Sequence, residues 1–242
     1  MAALELAIAD LERELESLKG FAHGFLDADA PQKLDQFRGQ LAPLLRAGGG
    51  PWAISKGEPI RTKPTNQYIG GHGELVWAAI SCKWELRRIN KTRHVRIDGI
   101  ASTRIELFRR GTEGDESLGM WRIEIGDEAS PGCYFHSQIM GQASTLPFPE
   151  WLTIPRLPTL MLTPASSIEF VLGELFQKEW ARTTSQIRDE IVMWGAIQRH
   201  RIMSWLQWQT RVLDADAYGL LPWTRMKLAK PDLELVDATR GH

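Results

Sequence analysis

A chain of 242 residues is long enough to bury a substantial core, in one large domain or two small ones. Its 43% hydrophobic and 24% charged residues match ordinary globular usage and exclude wholesale disorder. A net charge of −1 removes the overall electrostatic signature of a nucleic-acid binder, leaving only a local basic patch as a route to that function.

The first sixteen residues, M-A-A-L-E-L-A-I-A-D-L-E-R-E-L-E, carry acids where a signal peptide needs a basic start and an unbroken apolar core. No run reaches the roughly 18 apolar residues that cross a bilayer. A soluble cytoplasmic protein without membrane contact is therefore expected. Leu4, Ile8, Leu11, Leu15 and Leu18 recur at steps of four and three, which predicts a helix with one apolar stripe, stopped near Gly20. The stripe is as narrow as a coiled-coil seam but barely exceeds two heptads. It can pack on the body of its own chain. It can also be a partner-binding surface for another protein or a second copy, which makes these five residues the partner-binding candidates.

A second helix is predicted from about Pro31 to Ala47, capped by Asp29 and carrying Leu34, Phe37, Leu41, Leu44 and Leu45, with Pro43 as a kink or break. Gly48-Gly49-Gly50-Pro51 ends it. Residues 1–47 thus read as an N-terminal helical element, and 48–242 as a single α+β domain. Residues 47–73 read as an irregular entry. The glycines around His72 are not a phosphate loop, since no Lys-Ser/Thr and no helix follow them.

From 74 to 140 the period changes to two. Strands are predicted at about 74–88 (Val76, Ala78, Ile80, Cys82, Trp84 and Leu86 on one face) and 93–109 (Val95, Ile97, Ile105 and Leu107), with a bend or bulge at Gly99. After the polar loop G-T-E-G-D-E-S come a third strand with Trp121, Ile123 and Ile125, and a fourth giving Cys133, Phe135 and Ile139 to the core. A proline-rich strap over 141–163 follows, because prolines at 147, 149, 155 and 158 can continue neither sheet nor helix. Thr163 or Ser166 is then expected to cap a helix through Trp180. A longer helix carries Ile187, Ile191, Trp194, Ile197, Ile202, Trp205, Trp208 and Val212 to about Asp214. Residues 215–242 form a tail. The fold expected is α+β: a central antiparallel meander of four or five strands, an N-terminal helical pair, and two C-terminal helices on one face.

Ten tryptophans spread along the chain predict a well-filled core rather than a ligand platform. Cys82 and Cys133 both fall in apolar strands, as two buried thiols in a reducing compartment would. The opposite sheet face is polar by alternation. It presents Lys83 and Glu85, then His94, Arg96, Asp98, Arg104 and Glu106, then Arg122 and Glu124, then Tyr134, His136 and Gln138. It reads either as a solvated face with cross-strand ion pairs or as a concave site. In the second reading His136 acts as a base with His94 as its partner, and Arg96, Arg104, Arg122, Tyr134 and Gln138 hold an anionic, phosphorylated ligand. No metal-ligand spacing and no nucleophile elbow occur, so neither metal nor cofactor is expected. Arg188, Arg199, His200, Arg201 and Arg211 interleave with tryptophans on the last helix, a pattern that would suit single-stranded nucleic acid. Three functions stay open: a non-catalytic protein-binding or assembly module, which leads; an enzyme or binder of a small anion; and a nucleic-acid-associated protein.

Overall fold

The computed structural model describes residues 5–68, 73–90, 92–125, 135–140, 156–158 and 163–214. A short strand β1 (Glu5–Ala7) leads into helix α1 (Ile8–Ala22). Ile8, Leu11, Leu15 and Leu18 are fully buried, in one core with the sheet and the C-terminal helices. Burying each contributes about 1.5–3 kcal/mol to holding α1 on the body of its own chain. Their assignment as a partner-binding stripe is therefore corrected: the chain itself covers them, and the N-terminal element does not project. Leu4 lies outside the described residues. Gly20 does not stop the helix. It lets the start of the last helix approach, since a Cβ there would sit 3.1 Å from the Glu190 side chain.

The second helix is two helices, α2 (Ala30–Gly39) and α3 (Leu41–Ala47). Pro43 lacks the N–H that would bond back to Gly39, so the break falls one turn before it. Gln40, at the junction, donates from Nε2 to the Ala53 carbonyl and accepts the Ala53 N–H at Oε1, both at 3.0 Å. Its amide thereby occupies backbone groups of an edge strand that would otherwise recruit another chain.

That strand, β2 (Gly49–Ile54), begins where the sequence predicted irregular chain. Gly48 takes the left-handed helix-ending conformation (φ +83°). Gly49 is required by space, since a Cβ would meet the Leu86 carbonyl oxygen at 2.7 Å. Pro51 is tolerated because the strand lies at the sheet edge. After the two-residue β3 (Ile60–Arg61) come the four expected strands: β4 (Val76–Arg88), β5 (His94–Arg110), β6 (Asp115–Ile125) and β7 (Phe135–Met140). β8 (Arg156–Pro158) closes the far edge. The fold is α+β, as expected, but among the described residues its antiparallel sheet has eight strands, six of them in the order β2-β4-β5-β6-β7-β8. β3 continues the β2 edge along β4, and β1 lies beside the start of β5.

Gly99 (φ +110°) sits where β5 takes two extra residues between the pairs Trp84↔Ala101 and Leu86↔Ile97. An even insertion preserves side-chain parity, so Val95 and Ile97 on one side of it and Ala101 and Ile105 on the other are all buried in the core. Ile139 is the exception to the predicted core. It pairs with Trp121 on the inner face, yet it is 51% exposed. Cys133 lies outside the described residues, and burial pushes the Cys82 thiol up to about 12 despite an opposing backbone hydrogen bond at Ile54.

Helix α4 (Pro164–Thr184) is capped as predicted, the Thr163 hydroxyl accepting from the Ser166 N–H at 3.2 Å. Helix α5 (Asp189–Asp214) follows and packs along α1. Aromatic side chains fill the layer between helices and sheet. Trp52 stacks on Phe37 (centroids 4.1 Å apart) and meets Trp84 edge-on at 6.1 Å, while its Nε1 donates to the Phe37 carbonyl at 2.9 Å. Phe21 and Phe25 meet Trp180 and Trp194, and Phe135 meets Trp208. Trp52, Trp84, Trp180, Trp194 and Trp208 thus serve the core.

Candidate functional site

The sheet face turned from the helices carries two adjacent polar rows. One runs Lys83, Ser102, Glu124, His136 across β4 to β7, and the next runs Ser81, Arg104, Arg122, Gln138. This is the face that alternation predicted, in the predicted parity. It is not a uniformly solvated surface, because His136 is only 3% and Gln138 4% exposed.

Glu124 organises the buried end. The Ser102 hydroxyl donates to its Oε1 at 2.9 Å, and His136 Nε2 lies 3.5 Å from its Oε2. Gln138 Nε2 is 3.2 Å from the same imidazole nitrogen. Burial pushes the Glu124 carboxyl up, but hydrogen bonds from His136 and Ser102 and the charge of Arg122 outweigh it, so the group sits below the usual carboxylate range. A lowered folded-state value means that the ionised form stabilises the fold above the unfolded carboxyl value of about 4.3, and that this contribution fades as pH falls through the folded value. Replacing Glu124 with Gln is expected to lower stability at neutral pH by about 1–3 kcal/mol, and the gap should close on acidification. Urea unfolding of both proteins from pH 7 to pH 3 measures it. A gap that stays constant across that range would refute the assignment.

These three residues do not form a nucleophilic triad. Ser102 and His136 address opposite oxygens of one carboxylate, so the imidazole is not placed to take the serine proton. Nor does His94 partner His136. The His94 carbonyl accepts from Ile89 N–H, six positions along β4 from the Lys83 row, a separation of roughly 20 Å at about 3.3 Å per residue. That pairing is corrected. Arg96, opposite Arg87, also stands away from the polar rows, and Tyr134 lies outside the described residues.

What the rows do form is an open groove of about 480 Å³, lined by Ser55 and Lys56 from the loop after β2, Ser81 and Lys83, Ser102 and Arg104, and Arg122 and Glu124. Of the predicted ligand residues it gathers Arg104 and Arg122, and leaves out Arg96, His136 and Gln138. Arg104 and Arg122 are direct cross-strand neighbours, a repulsive placement that flanking acids offset. Arg104 Nη2 donates to Glu106 at 2.6 Å, Arg122 lies 3.8 Å from Glu124, and Lys83 lies 3.1 Å from Glu85. The Nε–H of Arg104 is buried with no protein acceptor. Ser81 and Ser102 share the parity of Lys83 and Arg104 and were legible as neighbours. Lys56, on a loop, was not.

The same face changes character toward the other end of β4 and β5, where Trp77 stacks on Phe108 at 4.4 Å and Arg61 lies over the indole at 5.3 Å. On α5, Trp194 and Trp208 are buried, so they offer no stacking surface to nucleic-acid bases. Among the described residues no group of three His, Cys, Asp or Glu side chains is placed to hold a metal ion, and no helix is long and apolar enough to cross a membrane. Searches of protein-family models, curated proteins and solved structures each returned no match to this chain.

Proposed function

We propose that this protein is a binding module for a small anionic ligand held in the groove between β2 and β6. The observation that carries the reading is the convergence of Lys56, Lys83, Arg104 and Arg122 on one cavity of about 480 Å³, a volume suited to a small molecule. Three acids, Glu85, Glu106 and Glu124, hold three of these cations in place without cancelling the set, which leaves an excess of one positive charge for the ligand. The aliphatic stems of the lysines and the side chain of Ala53, which pairs with Lys83, give the groove apolar walls. The buried Arg104 Nε–H supplies a donor that a ligand oxygen would satisfy. The serine hydroxyls of residues 55, 81 and 102 add adaptable donors around it.

Isothermal titration with inorganic phosphate and with octanoate tests this. At least one of the two should bind, more weakly as salt is raised. Lys56→Glu combined with Lys83→Glu should weaken that binding by about tenfold or more while leaving the melting temperature in place, because both ammonium groups sit at the rim. If neither anion binds, or if the double variant binds as well as the parent, the groove is not an anion site.

A further inference from the structure

The buried side of α5 faces α1 and the sheet through Trp194, Trp208 and the partly buried Trp205. Half a turn away lies a second, exposed stripe: Val192, Ala196, Arg199, Met203, Leu206, Thr210 and Leu213. All seven are exposed, and their steps are four, three, four, three, four and three, the spacing of a coiled-coil seam sustained for three heptads. Met193 and Ile202 widen it and are exposed as well. Singly exposed leucines are ordinary, but a stripe in which five of seven exposed positions are apolar along a 26-residue helix is not.

We infer that this stripe is the interface between two copies of the chain, paired antiparallel about a two-fold axis through their α5 helices. Arg199, the one charged residue of the seven, and Asp214 at the end of the helix choose both the occupant and the direction. Parallel pairing would set Arg199 against the same arginine of the other copy. Antiparallel pairing that sets Met203 against Leu206 of the partner subunit also sets Leu206 against the partner's Met203, as a two-fold axis requires. In that register Ala196 meets the partner's Leu213. Arg199 comes level with the partner's Thr210, one turn (about 5.4 Å) from the partner's Asp214. Two Arg199–Asp214 pairs then flank an apolar centre, and the helix dipoles run oppositely. The stripe is complementary to itself in size and in charge.

Sedimentation velocity of the full chain at about 50 μM reports the outcome. A dimer is expected, and Leu206→Glu should weaken it by about 100-fold or more, since each copy loses a central apolar contact. The circular dichroism and melting temperature of the variant monomer should be retained, because the side chain is exposed on the free chain. Arg199→Asp alone should also weaken the dimer, and Arg199→Asp with Asp214→Arg should restore it, a rescue that a merely structural role of Arg199 would not produce. A full-length chain that stays monomeric at this concentration overturns the proposal and leaves the stripe to another occupant. So does a dimer indifferent to Leu206→Glu, or a charge exchange without rescue.

Discussion

Replacing Glu14 with Ala is expected to lower the unfolding free energy by about 3–5 kcal/mol, the cost of leaving a buried charge without its counter-ion. Glu14 sits in the polar-looking sequence E-R-E-L-E, yet its side chain is almost wholly buried. Arg201 Nη1 and Gln198 Nε2 both donate to its Oε1, the latter at 2.6 Å, and the Thr163 hydroxyl donates to Oε2 at 3.2 Å. One carboxylate therefore ties α1 to the cap of α4 and to the middle of α5. Removing it strands the Arg201 guanidinium, which is itself largely buried. Urea unfolding should show a lower midpoint at unchanged slope. The double substitution Glu14→Leu with Arg201→Met should recover most of the loss, because apolar side chains of similar volume replace a buried pair at little net cost. A single variant within 1 kcal/mol of the parent would show that the cluster does not hold the helices together.

The second large effect is expected at Trp52. Its indole is stacked between the first helical layer and the sheet, touching Phe37 face to face and Trp84 by its edge, and its N–H donates to the Phe37 carbonyl in the last turn of α2. Trp52→Ala should cost about 3–5 kcal/mol through lost burial and the cavity left behind. Trp52→Phe keeps most of the stacking and loses the bond to the Phe37 carbonyl, so a smaller loss of about 1–3 kcal/mol is expected. Equilibrium unfolding of the two variants should rank them in that order. Equal losses would mean that the hydrogen bond rather than the packing carries the site.

The sheet was legible where both faces had a clear chemical sign. Alternation from Val76 to Leu86 and from Trp121 to Ile125 located β4 and β6, and the polar parity predicted the two rows that meet at the groove. β2 was hidden because G-G-G-P carries no alternation. Those glycines both end a helix and start a strand, and the second use depends on how closely the backbone of β4 passes. The leucine stripe of α1 was visible as a stripe, but periodicity does not record what lies across from it. Glu14 was hidden for the same reason at longer range: its donors stand 149, 184 and 187 residues away. His94 and His136 have the parity of a pair, yet their distance along the strands depends on register, and register is set by how β5 pairs with β4 across the bulge. On α5, the residues first read as one stripe divide. Trp194 and Trp208 face inward, Ile202 is 40% exposed, and Ile187 lies before the helix at 93% exposed. The second stripe was written in its own four-three spacing all along.

The contact between Glu14 and Arg201 sets an order of events during synthesis. The first helix leaves the ribosome with its leucines and its carboxylate ready, but the residues that close over that carboxylate are translated 149 to 187 positions later, Arg201 last. At about 5–20 residues per second the nascent chain carries that unfinished face for roughly 10–40 s. A chaperone that recognises short apolar segments would find its target at the N-terminus throughout that interval.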